Sequence, residues 1–218
     1  EEKLPANPTI IHYTIAVFGI EKFLKEFREI LVNNKLDKKL FDVQYSKDKD
    51  NVLDIISKIK STFKYKLGYH NSRKILLGIY KNLFSSEYKN MLSTIHLTES
   101  QIREMLEMGH YVGTHTYSHI SVAATELNSD DFIKEIISPK NYLEQKFNTK
   151  VNSFSYPFGG KNDCLSSSEL IKKTSEYNLA FTVEEILNTR NTSPYQLGRY
   201  QINSSDTSFK LNSIIQNI

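Results

Sequence analysis

Cysteine is almost absent from this sequence of 218 residues, which contains Cys164 alone. A single cysteine excludes an internal disulfide, and it does not decide the compartment, because reduced cytosolic proteins and cysteine-poor exported proteins look alike in this respect. Long apolar runs are missing as well. No stretch approaches the roughly 18 residues that a transmembrane helix needs, so we expect no membrane span. The sequence has no signal peptide at its start and opens at Glu1 instead of Met, so we expect an upstream portion.

The sequence also has little excess of charge of either sign. The formal net charge is only +3, and the lysines are scattered along the chain. Nucleic-acid binding normally requires a basic stripe, and attachment to an anionic membrane requires a polybasic run, so both classes are excluded. What the sequence does contain is 39% hydrophobic residues. That content predicts a globular protein with one sizeable domain, or one domain with a substantial insertion.

Residues 1–95 are predicted to be a mostly helical segment that packs on, or is inserted in, a second region. Apolar residues recur there at helical spacing in three stretches, and each stretch indicates one buried face. A short strand is predicted at residues 40–45. The three apolar stripes are Ile20, Phe23, Leu24, Phe27, Ile30 and Leu31; Val52, Ile55, Ile56, Ile59 and Phe63; and, in a helix over 72–91, Ile75, Leu76, Ile79, Leu83 and Phe84. His12, His70 and His96 are expected to be ordinary surface or partly buried histidines.

Residues 96–218 alternate between helical and strand patterns, which predicts an α/β layer or barrel. The first helix covers 98–108, where Thr98 and Gln101 occupy capping-box positions, and it stops at Gly109. A helix capped by Ser129 or Asp130 is expected to restart at Ser138-Pro139, and another is predicted over 168–177. Only four or five strands are visible, so a barrel would be incomplete. The strands are predicted at 111–112, 151–156, 179–183 and 196–202.

Two histidines, His115 and His119, follow the first of these strands. Neutral imidazoles are common zinc ligands, and a spacing of four lets both reach one ion. A catalytic zinc usually takes three protein ligands, so a third must come from elsewhere. The alternative is two surface histidines on a loop. Because catalytic groups collect at the carboxyl ends of barrel strands, the position after a strand favours the metal site.

A turn rich in glycine, Pro157-Phe158-Gly159-Gly160, follows the strand predicted at 151–156. Backbone N–H groups in such a turn could point at an anionic intermediate. An ordinary strand-to-loop turn is the alternative interpretation.

Together, the run from Gly109 to His119 and the run from Phe154 to Gly159 resemble the second and third motifs of the polysaccharide deacetylase family, carbohydrate esterase family 4. The resemblance covers roughly residues 98–200 and implies a distorted (β/α) barrel that hydrolyses acetyl groups on sugar polymers. It implies that His115 and His119 bind a divalent metal, zinc by preference, and that the Phe158 backbone donates to an oxyanion. Substrate contacts are implied for Tyr156, Pro157 and Gly159, and Arg199 resembles a late-motif arginine.

The sequence departs from this family in three places. No Asp-Asp pair, which would supply a metal ligand and a catalytic base, precedes the histidines; Asp130-Asp131 comes after them. Ser155 stands where the family often has arginine. No histidine follows His119, although a late histidine commonly serves as general acid in the family.

Three functions remain open. The first is a metal-dependent deacetylase acting on an N- or O-acetylated polysaccharide or glycan intermediate, in the bacterial cytoplasm or the cell envelope. The second is an inactive relative that serves as a glycan-binding or assembly module. The third is an unrelated zinc hydrolase that uses the same two histidines.

Overall fold

The computed structural model describes residues 4–37, 39, 43–47, 51–85, 87, 96–202 and 212–213. The chain forms two compact units. The first comprises residues 1–110, 117–120 and 124–135, and the second comprises 111–116, 121–123 and 136–218. The domain boundary predicted at residue 95 adjoins residues 88–95, which lie outside the described part, and stays a prediction.

The first unit is helical in its described residues, as the sequence predicted for the N-terminal segment. A π-helical segment, Thr62–Lys66, directly follows the α-helix that ends at Ser61. The helices are α1 Asn7–Phe18, α2 Ile20–Asn33, α3 Val52–Ser61, α4 Tyr69–Phe84, α5 Glu99–Glu107 and the short α6 Ser129–Phe132. Among the described helices, none combines the length and the apolar character that crossing a bilayer requires.

One hydrophobic core unites helices α1 to α4. All six residues of the stripe predicted on α2 are buried, which confirms its helical periodicity. The stripe on α3 is only partly confirmed, because Val52, the first residue of that helix, is 41% exposed. Each large apolar side chain removed from water stabilises the fold by about 1.5 to 3 kcal/mol before entropy is counted. These residues therefore serve stability and not chemistry.

Helix α1 was not predicted from the sequence. Its first turn contains Pro8, whose fixed φ suits a helix start, and Gly19 ends it with a φ of +83°. Because glycine adopts that conformation easily, the chain can leave α1 at Gly19 and begin α2 at the next residue.

The predicted start and end of α5 are confirmed. The Thr98 side chain accepts from the Gln101 N–H at 3.3 Å, and the Gln101 side chain accepts from the Thr98 N–H at 2.8 Å, which is a capping box. Gly109, with a φ of +88°, follows the last turn and stops the helix.

Other boundaries in the first unit differ from the prediction. Asn128, and not Ser129 or Asp130, caps α6 by accepting from the Asp131 N–H. Helix α4 begins at Tyr69, three residues earlier than predicted, and ends at Phe84, while residues 88–91 of the predicted helix lie outside the described residues. The strand predicted at 40–45 lies half outside them, and residues 43–45 have no regular secondary structure.

The second unit contains a parallel strand pair flanked by helices. The elements are α7 Ser138–Phe147, β1 Ser153–Ser155, α8 Lys161–Thr174 and β2 Leu179–Phe181. β1 and β2 pair in parallel, with Phe154 opposite Ala180. Single parallel bridges extend the pair on both sides, from Thr114 to Phe154 and from Phe181 to Leu197. Four neighbouring chain segments thus run in parallel in sequence order, as in a (β/α) unit, although the described residues show no closed barrel.

The predicted elements of the second unit differ from the structure mainly at their ends. β1 and β2 are shorter than predicted, and α8 begins seven residues before Ser168. The strand predicted at 111–112 is wrong, because the paired residue is Thr114, and of the strand predicted at 196–202 only Leu197 forms a bridge. Ser138 is not an N-cap, because a π-helical segment, Ile133–Ile137, leads into α7 without a break. Proline at the first turn of α7 fits, since its missing N–H is not needed there.

Candidate active site

The backbone before His115 is fixed by the parallel strands of the second unit. The Thr114 N–H donates to the Ser153 carbonyl at 3.0 Å, and the Ser155 N–H donates to the Thr114 carbonyl at 2.8 Å. The buried Thr114 hydroxyl donates to the Tyr177 hydroxyl at 2.9 Å. His115 is therefore the first residue past a paired position, at the carboxyl end of its segment.

Gly113 permits this close pairing. A Cβ built on Gly113 would lie 2.5 Å from the Ser153 hydroxyl oxygen and 3.0 Å from the Ser153 carbonyl oxygen. Side-chain carbons do not approach other atoms so closely, so a larger residue would push the segment away from β1 and displace His115 with it.

The His115 ring is held in one tautomer. Its Nδ1 lies 2.7 Å from the Ser155 carbonyl oxygen, which can only accept, so Nδ1 carries the proton. Burial lowers the pKa of His115, the carbonyl bond opposes this, and the charge of Arg199 adds to the lowering. The neutral ring has its lone pair on Nε2. A histidine that binds metal through one nitrogen typically donates the other N–H to a carbonyl or carboxylate in this way.

His119 belongs to the first unit, whereas His115 belongs to the second. His119 has a φ of +61°, and Thr116 has a φ of +57°. Residues other than glycine rarely adopt this left-handed conformation, which costs on the order of 1 kcal/mol for each. The contribution of both histidines to one ion stays a prediction from their spacing in the sequence.

The turn after β1 is shaped by its own contacts. The Tyr156 N–H donates to the Phe181 carbonyl at 3.0 Å, which closes the strand pair. Phe158 and Gly159 then both adopt left-handed conformations, with φ of +66° and +69°. The Val183 N–H donates to the Gly159 carbonyl at 2.9 Å, so the turn is attached to the segment that follows β2.

The second unit thus brings together several of the residues that the sequence had marked. His115 and the Tyr156–Gly159 turn follow neighbouring parallel segments, and the His115 ring bonds the carbonyl of Ser155, directly before the turn. The exposed Arg199 lies close enough for its charge to affect His115. The roles predicted for Phe158 as oxyanion donor, for Arg199 in catalysis, and for Tyr156, Pro157 and Gly159 in substrate binding stay predictions.

Tyr156 serves first as a packing residue. Its side chain is 1% exposed, and its hydroxyl donates to the Tyr195 carbonyl at 2.9 Å. Any contact with substrate at this position would therefore come from its backbone.

We expect Tyr156→Phe to lower the free energy of unfolding by about 1 kcal/mol, because one buried hydrogen bond is lost and the Tyr195 carbonyl loses its donor. Zinc affinity should stay as in the wild type. Urea unfolding and zinc titration measure the two effects. A large loss of zinc affinity in a stable variant would show that the tyrosine hydroxyl acts on the site.

Three polar residues that make tertiary hydrogen bonds were not singled out from the sequence. Glu184 accepts from the Lys161 N–H at 2.8 Å, at the start of α8. Asp163 accepts from the Ser121 hydroxyl at 2.6 Å. Glu135, in the first unit, is fully buried. In the sequence, none of the three differs from an ordinary polar surface residue. Only their tertiary contacts set them apart from such residues.

Four other histidines are exposed: His12, His70, His96 and His110. His70 pairs with Asp131 at 3.0 Å. The expectation for His12, His70 and His96 is confirmed in that none of them is buried.

The donor chemistry of His115 fits a metal ligand, but a complete donor set is not assembled. Across the described part of the chain, no three histidine, cysteine, aspartate or glutamate side chains cluster in a way that could hold an ion. The observed fit to a metal ligand therefore concerns His115; the role of His119 stays a prediction, and the third ligand is not assigned.

The comparisons with known proteins agree with the motifs. The family model of the polysaccharide deacetylases matches residues 39–177. Among solved structures, a polysaccharide deacetylase from Bacillus cereus is 24% identical, with a TM-score of 0.46, over 55% of this chain and 36% of its own. A proposed polysaccharide deacetylase from Bacillus anthracis is 20% identical, with a TM-score of 0.47, over 66% of this chain and 48% of its own. This chain therefore spans less than half the length of either structure. No curated protein sequence matches it. Because the family model covers more than half of the sequence, the resemblance of the motifs is confirmed, and the chain belongs to the polysaccharide deacetylase family.

Proposed function

We propose that this protein is a metal-dependent hydrolase that removes acetyl groups from an N- or O-acetylated polysaccharide or glycan intermediate. One observation carries the proposal. The His115 Nδ1–H is held by the carbonyl of Ser155, the residue directly before the Tyr156–Gly159 turn, which leaves Nε2 as the nitrogen that would bind a metal. A metal ligand and a candidate oxyanion loop at one sheet edge are what acyl hydrolysis requires.

Nε2 of His115 and a ring nitrogen of His119 would hold the ion, and zinc suits these donors best. When bound, such an ion supplies a Lewis acid that polarises the acetyl carbonyl and lowers the pKa of water. The third ligand and the catalytic base are not assigned to residues of this chain. No Asp-Asp pair precedes the histidines to supply them.

The residues of the turn would stabilise the negative charge that develops on the carbonyl oxygen. Pro157 has no N–H, so Phe158 is the first backbone donor in the turn after Tyr156. With its φ of +66°, Phe158 departs from the extended conformation of a strand, so the chain turns at this residue. Removing one such donor typically costs a factor of about 100 to 1,000 in kcat. Arg199 would add positive charge near His115.

A second function is favoured by a specific observation. Because the Asp-Asp pair of the family is absent before His115, the chain would keep the fold of the family without its chemistry. It would then act as a glycan-binding or assembly module.

Metal content and acetate release separate the two functions. The protein is purified in its longest natural form, its metal is measured, and N-acetylglucosamine oligomers and O-acetylated xylan are offered as substrates. For the hydrolase we expect about one zinc ion per chain and acetate release that chelation abolishes and zinc restores. Oligomer binding without acetate release, in protein with or without zinc, would establish the module instead.

A further inference from the structure

Glu135 is a fully buried carboxylate that the proposed chemistry does not use. It lies in the π-helical segment Ile133–Ile137, within the part of that segment that belongs to the first unit. Placing a carboxylate in the protein interior costs several kcal/mol unless donors surround it. The contacts around Glu135 therefore show which groups compensate for the burial of its charge.

Both carboxylate oxygens of Glu135 accept hydrogen bonds. Oε2 accepts from the Ser118 N–H at 2.9 Å, and Oε1 accepts from the Ser118 hydroxyl at 2.6 Å and from the Tyr69 hydroxyl at 2.8 Å. Burial raises the pKa of the Tyr69 hydroxyl, and the charge of Glu135 raises it further, so Tyr69 stays protonated and donates. The partly buried guanidinium of Arg73 adds a positive charge nearby.

The main chain of Glu135 takes part as well. Its carbonyl accepts from the Tyr117 N–H at 3.0 Å. One residue thus binds two successive backbone N–H groups and one hydroxyl of the segment directly before His119. The Ser118 carbonyl, in turn, accepts from the Asn7 N–H at 3.3 Å.

This segment needs external support because its own conformation is unfavourable. The left-handed residues Thr116 and His119 stand on either side of Tyr117 and Ser118. Such conformations persist when surrounding contacts determine them. An apolar residue at position 135 could fill the same volume and keep the main-chain bond to Tyr117, but its side chain could not accept from the Ser118 N–H and the hydroxyls of Ser118 and Tyr69.

We propose that Glu135 is a positioning residue that fixes the Tyr117–Ser118 backbone and thereby sets the place of His119. Its consequence for metal affinity rests on the proposed function, in which His119 is a ligand. Partners that orient metal ligands in this way typically contribute a factor of 10 to 100 in metal affinity.

The test compares the wild type with Glu135→Met in the complete protein. Methionine matches glutamate in length but has no oxygen that accepts from the Ser118 N–H or from the hydroxyls of Ser118 and Tyr69. Hydrogen exchange at the Tyr117 and Ser118 amides is measured by NMR without added metal, and zinc affinity is measured by competition with a chelating dye. We expect exchange at the Ser118 amide, which loses its acceptor, to rise about tenfold or more, and zinc affinity to fall about 10- to 100-fold. The Tyr117 amide, which donates to the main-chain carbonyl of residue 135, should change less.

A matched control is Glu126→Met, the same substitution at a glutamate of the same unit whose side chain is exposed. We expect exchange at Tyr117 and Ser118 and zinc affinity to equal those of the wild type. If Glu135→Met does not fold, Glu135→Gln, which keeps the size of the side chain but removes the negative charge from its bond to the Ser118 N–H, should still raise exchange at the Ser118 amide several-fold.

The outcomes separate this inference from the proposed function. Unchanged exchange at Ser118 in folded Glu135→Met, or in Glu135→Gln where only that variant folds, overturns the positioning role. Zinc binding of equal strength in the wild type and Glu135→Met overturns its link to the metal while the hydrolase proposal stands. A wild-type protein that binds no zinc, with faster exchange in the variant, overturns the metal site and supports the positioning role of Glu135.

Discussion

Replacing His115 or His119 by alanine is expected to abolish zinc binding and acetate release while the protein remains folded. The segment before His115 is held by backbone bonds of Thr114 to β1, which the substitution does not touch. In the proposed metal site, loss of either histidine would leave too few donors to retain an ion. Zinc titration, acetate release and circular dichroism measure the three properties.

His110→Ala is the matched control for this prediction. It removes the same side chain five residues before His115, from an exposed position. Zinc binding and acetate release should be unaffected. Should His115→Ala keep wild-type zinc affinity, the ring would not be a ligand, and its bond to the Ser155 carbonyl would have to be understood as a packing device.

Gly159→Ala is expected to destabilise the second unit by about 2 kcal/mol and to reduce acetate release more than 100-fold. The φ of Gly159 is +69°, which a side chain disfavours. In addition, a Cβ there would lie 2.6 Å from a Val183 methyl and 3.0 Å from the Val183 backbone nitrogen. The turn that carries Phe158 would have to move. Urea unfolding and kcat for acetate release test the prediction.

The neighbouring glycine provides the control. Gly160 has a φ of −72°, and a Cβ built on it would meet only the Asp163 carboxylate, at 3.8 Å. Gly160→Ala should therefore be close to wild type in both stability and activity. Equal losses in the two variants would mean that the turn tolerates no side chain for a reason other than the conformation of Gly159.

The sequence predicted those elements of the fold that depend on interactions between residues close together in the chain. The stripe on α2 is amphipathic enough to show its buried face in the sequence, and the capping box of α5 is a short-range hydrogen-bond motif. Helix α1 is apolar on most sides, so its periodicity is weak. The strands end early because pairing, which is a tertiary contact, decides where a strand stops. Leu197 shows this most clearly, since a predicted seven-residue strand contributes one bridge.

The candidate site, like the fold, was predicted only in part from the sequence. Motif order identified His115 and the turn, and the parallel segments bring these two to one edge. Glu135 could not be found in this way. In the sequence Ile-Lys-Glu-Ile-Ile it looks like a residue on the polar face of a helix, and only the contacts with Tyr69 and Ser118 show that it is buried.

The hydrogen bonds around Ser118 also bear on the order of folding. Asn7, Tyr69 and Glu135 come from three distant parts of the chain, and 66 residues separate the last two. Contacts that close such long loops form late, because the entropy of closure must be overcome first. The segment that carries His119 therefore acquires its final conformation only after α1 and α4 have packed. During synthesis, His119 would be made before Glu135, so its segment would lack this support until the later residue is available.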